Sequence, residues 1–367
     1  DYDILLLSGM DNIFYLSDIP VTDMAANPVL NVLQQFNPSI LCITADGNRV
    51  LFAATSLAQY IDENISDITV YYYPTALFID YRPSIASPEV YASSVSGCLV
   101  KFLTENGLLN GKIGMDAQFF VNPGADCLGA GNFVTENVER DLYFLRKIKS
   151  HEELRRMRHA SIAAYAVMDW VKEQVEAGAD ITEAELFYGL RAKLLEYHCQ
   201  WKFTTVACGK YSADVYHQPL ADYRLKRGDT VRLDIGAVYQ GYGSDVARTY
   251  FAPDVPGEYR KLYQTICDAQ KLVLENLKPG AKGINLFHMG QEYVRSHGYP
   301  QYNRTMIGHS IGLQTEEYPF ISPKDEMILE EGMVICIELP FYIKNLAGLN
   351  IEDIVLIKKN GIEYLRR

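Results

Sequence analysis

The segment from Arg232 to Phe251, RLDIGAVYQGYGSDVARTYF, predicts a β-hairpin whose two aspartates interrupt apolar runs. The two strand-like halves flank Gln240-Gly241, which is a signal for a tight turn. With a two-residue turn, Asp245 lies opposite Gly236, and Asp234 points to the same face because strand side chains alternate with period two. The carboxylates are then diagonal neighbours, roughly 6 to 8 Å apart at Cβ, and Gly236 leaves room between them.

Two buried like charges at that separation repel each other. The pair therefore needs either a bound proton or a cation between its members. The alternative is a solvent-facing pair on an edge hairpin, which the hairpin sequence alone does not exclude.

Three more metal-competent residues stand in strand or strand-edge contexts: His309 in MIGHSIGL, Glu338 in MVICIELPFY and Glu352 in LNIEDIVLI. An isolated buried carboxylate costs several kcal/mol, so four of them in apolar strand runs favour compensation by cations. Together with Asp234 and Asp245 they form a set suited to two divalent ions about 3.5 to 4 Å apart. Taken singly, His309 is compatible with a loop histidine, and Glu352 with a solvated strand end.

The composition limits the classes of partner and compartment. The chain has 367 residues, 48% of them hydrophobic, and a net charge of −12. No basic cluster suggests binding to nucleic acid or to an anionic membrane. The sequence has no apolar run of membrane-spanning length, and its start lacks the features of a signal peptide. Its seven scattered cysteines are typical of reduced thiols, so we expect a cytoplasmic protein.

The order of elements predicts two domains. Residues 1–146 alternate strand-like runs (DILLLS, IFYLSD, SILCITADG, RVLFAA, ITVYYYP, KIGMDA) with one helical stretch, ASPEVYASSVSGCLVKFLTENG, which indicates a smaller α/β domain. A charged segment and a long amphipathic helix ending at Gly178 follow, and we place the boundary near Lys147 to Ser150. In residues 147–367, further long helices are interleaved with strand pairs. This order favours an α+β domain with helices on one face of an antiparallel sheet and a site on the other.

Taken together, the motifs resemble those of a known family. D-x-G with a second Asp in G-Y-x-S-D-x-x-R-T, then G-H-x-I-G-L, then E-x-G-M-V with I-E-x-P, then I-E-D with V-L-I, are similar to the creatinase/aminopeptidase P/prolidase family of pita-bread metallopeptidases. The N-terminal run DNIFYLSD and the segment LRKIKSHEELRRMRHA also resemble that family. The resemblance implies a pita-bread catalytic domain, a creatinase-like N-terminal domain and a homodimer.

The resemblance also implies roles for individual residues. Asp234 chelates one metal, Asp245 and Glu352 bridge, and His309 with Glu338 completes the second metal position. The two cations, with Mn, Co, Zn or Fe all suited to the ligands, activate a water for attack on the scissile carbonyl. Glu338 shuttles the proton, and His217 in VYHQPL acts on the substrate.

Two positions depart from the peptidase pattern. Glu316 stands where prolidases and aminopeptidases P have a second histidine, and Asn350 stands where they usually have arginine. One interpretation is an ordinary peptidase with a solvated Glu316 and a strand-end Asn350. The other is a site retuned to a substrate of different charge, in which Glu316 pairs with a cationic group and peptides with a free carboxylate bind poorly.

The expected function is therefore hydrolysis of a C–N bond in a small substrate, such as an Xaa-Pro dipeptide, by a dinuclear metal-dependent enzyme. Two alternatives remain at the level of sequence. One is a non-peptidase enzyme, either a creatinase-like amidine or cyclic amide hydrolase or a lyase. The other is a non-catalytic binding protein, which loss of ligands would favour, and none of the five is lost.

Overall fold

The computed structural model describes residues 2–19, 38–75, 89–119 and 128–366. The chain divides into two compact units, Asp1–Leu142 and Tyr143–Arg367. The described helices are α1 (Met10–Ser17), α2 (Ala58–Asn64), α3 (Val95–Glu105), α4 (Glu139–Arg146), α5 (His151–Glu176), α6 (Glu183–Glu196), α7 (Gly257–Glu275) and α8 (Gly283–Ser296), with 3₁₀ turns at Thr55–Leu57 and Gly209–Ala213. The sequence-based domain boundary after residue 146 stays a prediction.

The first unit contains a mixed sheet. Its strands are β1 (Ile4–Leu7), β2 (Ile40–Thr44), β3 (Arg49–Ala54), β4 (Thr69–Tyr73), β5 (Asn110–Met115) and β6 (Asn132–Asn137). Their order in the sheet is β4-β3-β2-β1-β5-β6. The β1–β2 and β2–β3 pairs are antiparallel, whereas β3–β4, β1–β5 and β5–β6 are parallel. A mixed sheet with helices is the α/β organisation expected for this part of the chain.

The second unit contains the larger, antiparallel sheet. Its strands, with the separate β14–β15 pair, are β7 (Gln200–Cys208), β8 (Thr230–Tyr239), β9 (Tyr242–Gly243), β10 (Val246–Phe251), β11 (Gly308–Ser310), β12 (Glu317–Phe320), β13 (Val334–Glu338), β14 (Phe341–Ile343), β15 (Ala347–Leu349), β16 (Glu352–Lys358) and β17 (Gly361–Tyr364). The order is β12-β11-β13-β16-β10-β8-β7, with β17 beside β16 and β9 beside β8.

One face of this sheet is apolar and is covered by helices. Leu233 and Ile235 of β8 are fully buried, and α5 lies against β8 and β10. On β13, Ile335 and Ile337 belong to a core cluster that includes residues of α7 and α8. Because side chains alternate along each strand, the intervening residues point to the opposite face. That face carries the polar residues discussed below.

Capping residues fix where two helices begin. Ser150 and Glu153 form a capping box at the start of α5, and Thr182 and Glu185 form another at the start of α6. Each box satisfies backbone N–H groups that the first helical turn leaves unpaired. The predicted long helix after the boundary segment is thus observed as α5, which ends at Glu176.

Several local predictions were wrong. IFYLSD was expected as a strand but forms part of α1, where Met10, Ile13 and Phe14 have helical spacing and Ile13 and Phe14 are buried. A short apolar run fits both periodicities, so the sequence did not separate them. The helix expected over 86–107 is observed only as α3, capped by Ser94; residues 89–94 are not helical and 86–88 lie outside the described residues.

Six of the seven cysteines are free thiols, and Cys127 lies outside the described residues. Within the described part of the chain, no helix is both long and apolar enough to cross a membrane.

Candidate metal centre

Four of the five predicted ligands lie on strands of the large sheet, and the fifth, Asp245, directly precedes β10; all five point to the face away from the helices. Glu338 pairs with Glu352 across β13 and β16, and Glu352 and Asp234 both pair with Ala247 of β10 from either side. Residues paired in antiparallel strands share a face. The register therefore places Glu338, Glu352 and Asp234 in one row across the sheet.

Asp245 and His309 point to the same face as this row, because side chains alternate along a strand. Asp245 lies two residues before Ala247, directly ahead of β10, and so points to the same face. His309 pairs with Cys336, which lies two residues before Glu338. We call Asp234, Asp245, His309, Glu338 and Glu352 the carboxylate cluster.

The hairpin register agrees with the two-residue turn expected from Gln240-Gly241. Val246 pairs with Ile235, and Tyr242 pairs with Tyr239. The room expected beside Gly236 is filled, however, because a Cβ at this position would collide with the ring of Phe203. Phe203 pairs with Gly236 across β7 and β8, so its ring lies on the face of the carboxylate cluster.

Ligand atoms of the cluster lie close enough to share cations. Carboxylate oxygens of Asp234, Asp245 and Glu352 lie within 4.8 Å of one another. His309 Nε2 lies 3.5 Å from Glu352 Oε1 and 3.8 Å from Asp245 Oδ2. Among the described residues, Glu338 belongs neither to this group of three nor to a second group formed by His309, Cys336 and Glu352. It nevertheless lies in the same row across the sheet as Glu352.

Two oxygens of the cluster are buried without a hydrogen-bond partner among the described residues: Asp245 Oδ1 and Glu352 Oε1. Asp245 is 5% exposed and Glu352 only 2%. A buried, unpaired carboxylate oxygen is costly, and a cation compensates that cost. Carboxylate oxygens with one imidazole nitrogen are ligands that Mn²⁺, Fe²⁺, Co²⁺ and Zn²⁺ accept. The residues therefore fit divalent metal ions.

The pKa shifts reflect the same crowding of negative charge. Burial, and then the charge of Glu352, raises the pKa of Asp234 to about 8 and that of Glu338 to about 7. The same causes raise the pKa of Asp245 well above its usual range. Burial would lower the pKa of His309, but the nearby Glu352 carboxylate outweighs it and the pKa is raised to about 9. In the protein alone, these groups retain protons that a cation would displace.

His217 is held in a separate buried network. Its Nε2 lies 2.7 Å from Glu183 Oε2, and its ring stacks on Tyr211 with centroids 5.1 Å apart. The Glu183 carboxylate also accepts hydrogen bonds from the backbone N–H groups of Cys208 and Leu220. Within the described residues, no hydrogen bond or ion pair joins His217 to the carboxylate cluster.

The two departing positions differ in burial. Glu316 is exposed, and its charge is among the weaker causes that raise the pKa of Glu338. The next residue, Glu317, is buried, and its Oε1 accepts hydrogen bonds from the N–H groups of Leu313 and Gln314. Asn350 is fully buried, and neither atom of its amide has a hydrogen-bond partner among the described residues. It lies between the end of β15 and the start of β16, as the simpler interpretation expects, but it is buried rather than exposed.

The sequence reasoning missed several residues beside the cluster. Cys336 has its Sγ within 4.8 Å of ligand atoms of His309 and Glu352, and Arg232 Nη1 lies 3.8 Å from Asp234 Oδ2. Both stand two residues from a ligand on the same strand, so alternation was a signal for each. Arg304, whose charge lowers the pKa of Glu338, lies outside the strands and gave no such signal.

Comparison with known proteins places the chain in a family. The family model described as "Metallopeptidase family M24" matches residues 155–359. An uncharacterized peptidase of Staphylococcus aureus is 30% identical over 296 residues, covering 78% of this chain and 83% of that protein. The chain belongs to metallopeptidase family M24. The resemblance found in the motifs is thereby confirmed, and membership implies the use of divalent metal ions.

Two further comparisons concern proteins of Pyrococcus horikoshii. An Xaa-Pro dipeptidase is 35% identical to this M24 protein over 239 residues, and the match spans 63% of the chain and 65% of the dipeptidase. A crystal structure of a dipeptidase has a TM-score of 0.81 at 25% identity, covering 100% of this chain and 94% of that one. The predicted α+β pita-bread fold, preceded by an α/β N-terminal domain, is confirmed by this likeness and by the observed sheets.

Proposed function

We propose that this M24 protein hydrolyses the C–N bond of short peptides, of the Xaa-Pro type, with two divalent cations held by the carboxylate cluster. The observation that carries the proposal is the convergence of five metal-competent side chains on one face, where two buried carboxylate oxygens accept no hydrogen bond from a described residue. The Xaa-Pro dipeptidase among the relatives supports the substrate class.

The cluster offers a distinct place for each ligand. Asp245 and Glu352 lie within reach of both His309 and Asp234, so these four residues would together hold the cations. When bound, divalent cations polarise a carbonyl and acidify a water at neutral pH. Asp234 and His309 then lie at the two ends of the ligand set.

Glu338 suits the role of proton carrier. It is only partly buried, whereas Asp245 and Glu352 are buried, so a substrate reaches its carboxylate more readily. In that position the Glu338 carboxylate takes the proton of the attacking water and delivers it to the leaving nitrogen. Its place in the same row as Glu352 keeps it beside the other residues of the carboxylate cluster.

His217 is proposed to act on the substrate rather than on the metals. Its contact with Glu183 fixes the ring and leaves Nδ1 available for a hydrogen bond to the substrate amide. His217→Ala is expected to reduce kcat by roughly 10²-fold while metal content stays the same. If the variant and the parent had equal kcat, His217 would have no role in the mechanism.

Metal analysis and a peptide assay test the proposal together. Protein freed of metal with a chelator and titrated calorimetrically with Mn²⁺, Co²⁺ or Zn²⁺ should bind up to two ions per chain. The loaded protein should release proline from a panel of Xaa-Pro dipeptides, and chelator should stop the release. Absence of ion binding at excess metal contradicts the proposal, and ion binding without hydrolysis of any dipeptide favours a non-peptidase enzyme or a non-catalytic protein.

Assembly and location complete the proposal. We expect a homodimer, supported by the family resemblance, and a cytoplasmic location, supported by the composition and the cysteine pattern. Light scattering and cell fractionation measure these two properties directly.

A further inference from the structure

Two buried polar atoms that have no partner in the described part of the chain lie in the segment that leads into β11, the strand of His309. Among the described residues, Tyr302 Oη and Arg304 Nε are buried and have no hydrogen-bond partner. Tyr302 is only 4% exposed. Folded proteins satisfy nearly all buried polar groups, so two neighbouring exceptions require an explanation, and a ligand supplies one.

The backbone that carries these two side chains is firmly held. Arg295 Nε donates a hydrogen bond of 2.8 Å to the carbonyl of Tyr302, and the N–H of Arg304 donates one of 2.7 Å to Gln291 Oε1. The ring of Tyr302 stacks on Phe341 with centroids 5.4 Å apart. Both supporting residues, Arg295 and Gln291, belong to α8. The unpaired atoms are therefore presented by an ordered segment.

Arg304 stands five residues before the predicted ligand His309. Its Cζ lies 6.0 Å from the centroid of the Tyr342 ring. The same ring also lies beneath Arg232, whose Nη1 is 3.8 Å from Asp234 Oδ2 of the carboxylate cluster. Arg304 is thus separated by one aromatic ring from an arginine that contacts the cluster.

A second arginine over the same ring provides the contrast. Arg232 has its Cζ 5.3 Å from the Tyr342 centroid, but its guanidinium donates to the carbonyls of Ser212 and Asp214 at 2.7 and 2.6 Å. No hydrogen bond or ion pair with a described residue engages the guanidinium of Arg304. Backbone carbonyls of the protein thus accept the hydrogen bonds of Arg232, whereas the guanidinium N–H donors of Arg304 remain available to a ligand.

We infer that Arg304, assisted by the Tyr302 hydroxyl, binds the C-terminal carboxylate of the peptide substrate. The inference rests on the proposed function and narrows the substrate to short peptides with a free carboxylate. A planar guanidinium matches a carboxylate with two parallel hydrogen bonds, and a tyrosine hydroxyl adds a third donor. Arg304 thereby supplies the positive charge that the chain lacks at Glu316 and Asn350, contrary to the expectation that such peptides bind poorly.

A pair of substrates that differ only at the carboxylate tests the inference. Metal-loaded parent should cleave Ala-Pro at least 10-fold more efficiently than Ala-Pro amide. Arg304→Gln should lower kcat/KM for Ala-Pro by about 10- to 150-fold, corresponding to the roughly 1.5 to 3 kcal/mol of a charge-assisted hydrogen bond, and change the amide less than about 3-fold. Arg304→Lys should give an intermediate value, because it retains charge and loses the planar fork.

Arg260→Gln is the matched control. Arg260 also lies over an aromatic ring, 4.9 Å from the centroid of Phe251, but it is exposed. This variant should keep the parent's preference for the free carboxylate. If Arg304→Gln keeps that preference too, or if the parent prefers the amide, the inference is overturned.

A binding measurement separates failure of the inference from failure of the proposed function. L-Proline and L-prolinamide titrated into parent and Arg304→Gln, and followed by NMR, report carboxylate recognition without turnover. Preference of the parent for L-proline, lost in Arg304→Gln, supports the inference even if no peptide is cleaved. Cleavage of both peptides with equal binding of the two small molecules supports the proposed function and overturns the inference.

Discussion

Two neighbouring carboxylates on opposite faces of β16 have different surroundings. Asp353 points toward the helices, where Arg248 Nη2 lies 2.5 Å from its Oδ1 and the hydroxyl of Tyr165 donates to the same oxygen at 2.5 Å. Glu352 points to the other face, where its Oε1 has no hydrogen-bond partner among the described residues. Both residues are at least 96% buried.

The difference shows what each carboxylate needs. Asp353 is compensated by the protein, since a guanidinium and a hydroxyl saturate it. Glu352 lies among three other carboxylates and one imidazole, and this surplus of negative charge requires cations or protons from solution. A carboxylate in a strand core is therefore structural or metal-binding according to the partners on its face of the sheet.

The largest expected effect comes from Glu352→Gln. This substitution removes one charge from the cluster, so metal binding should weaken and hydrolysis should fall by about 10³-fold, since metal assistance contributes several kcal/mol. The free energy of unfolding of the metal-free variant should equal or exceed that of the metal-free parent, because repulsion is relieved. Calorimetric metal titration and urea unfolding measure the two quantities. Unchanged metal binding by Glu352→Gln would contradict the difference between Glu352 and Asp353.

The matched change on the opposite face, Asp353→Asn, should affect stability instead. It leaves the buried charge of Arg248 without its carboxylate, and breaking a buried ion pair costs about 3 to 5 kcal/mol. Urea unfolding should show that loss, while the number of metal ions bound per folded chain stays as in the parent. A loss of metal stoichiometry equal to that of Glu352→Gln would show that the two faces are not independent.

The smallest expected effect is the pH dependence of the metal-free protein. The folded-state pKa values of Asp234, Glu338 and His309, about 8, 7 and 9, all lie above their ordinary values of 3.8, 4.5 and 6.5. The folded state therefore binds more protons than the unfolded state between about pH 4 and 9, and stability falls as pH rises through this window.

Thermal unfolding at a series of pH values checks this sign. The Tm of metal-free protein should fall from pH 5 to pH 8.5 by at least about 4 °C, the shift expected for a loss of about 2 kcal/mol in a domain of this size. Added Mn²⁺ should remove most of the dependence, because a cation takes the place of the protons. A Tm that rises over this range without metal would contradict the crowding of charge in the cluster.

Much of the site could be predicted because strand alternation is a local property. The register of the hairpin around Gln240-Gly241 and the shared face of Asp234 and Asp245 both follow from it. The same rule would have identified Cys336 and Arg232, which lie two residues from a predicted ligand but were missed. The strand assigned to IFYLSD was wrong because six residues with apolar character fit a helical turn equally well.

Residue types and short spacings were enough to identify the family, the antiparallel hairpin and the metal-competent residues. Which buried charges have partners could be read only from the folded chain. Arg248 contacts Asp353 from another strand, Phe203 fills the space beside Gly236, and the charge of Arg304, in an irregular segment, lowers the pKa of Glu338. The physical reason is that charge compensation depends on distances of a few ångströms between residues far apart in the chain, and no local periodicity encodes them.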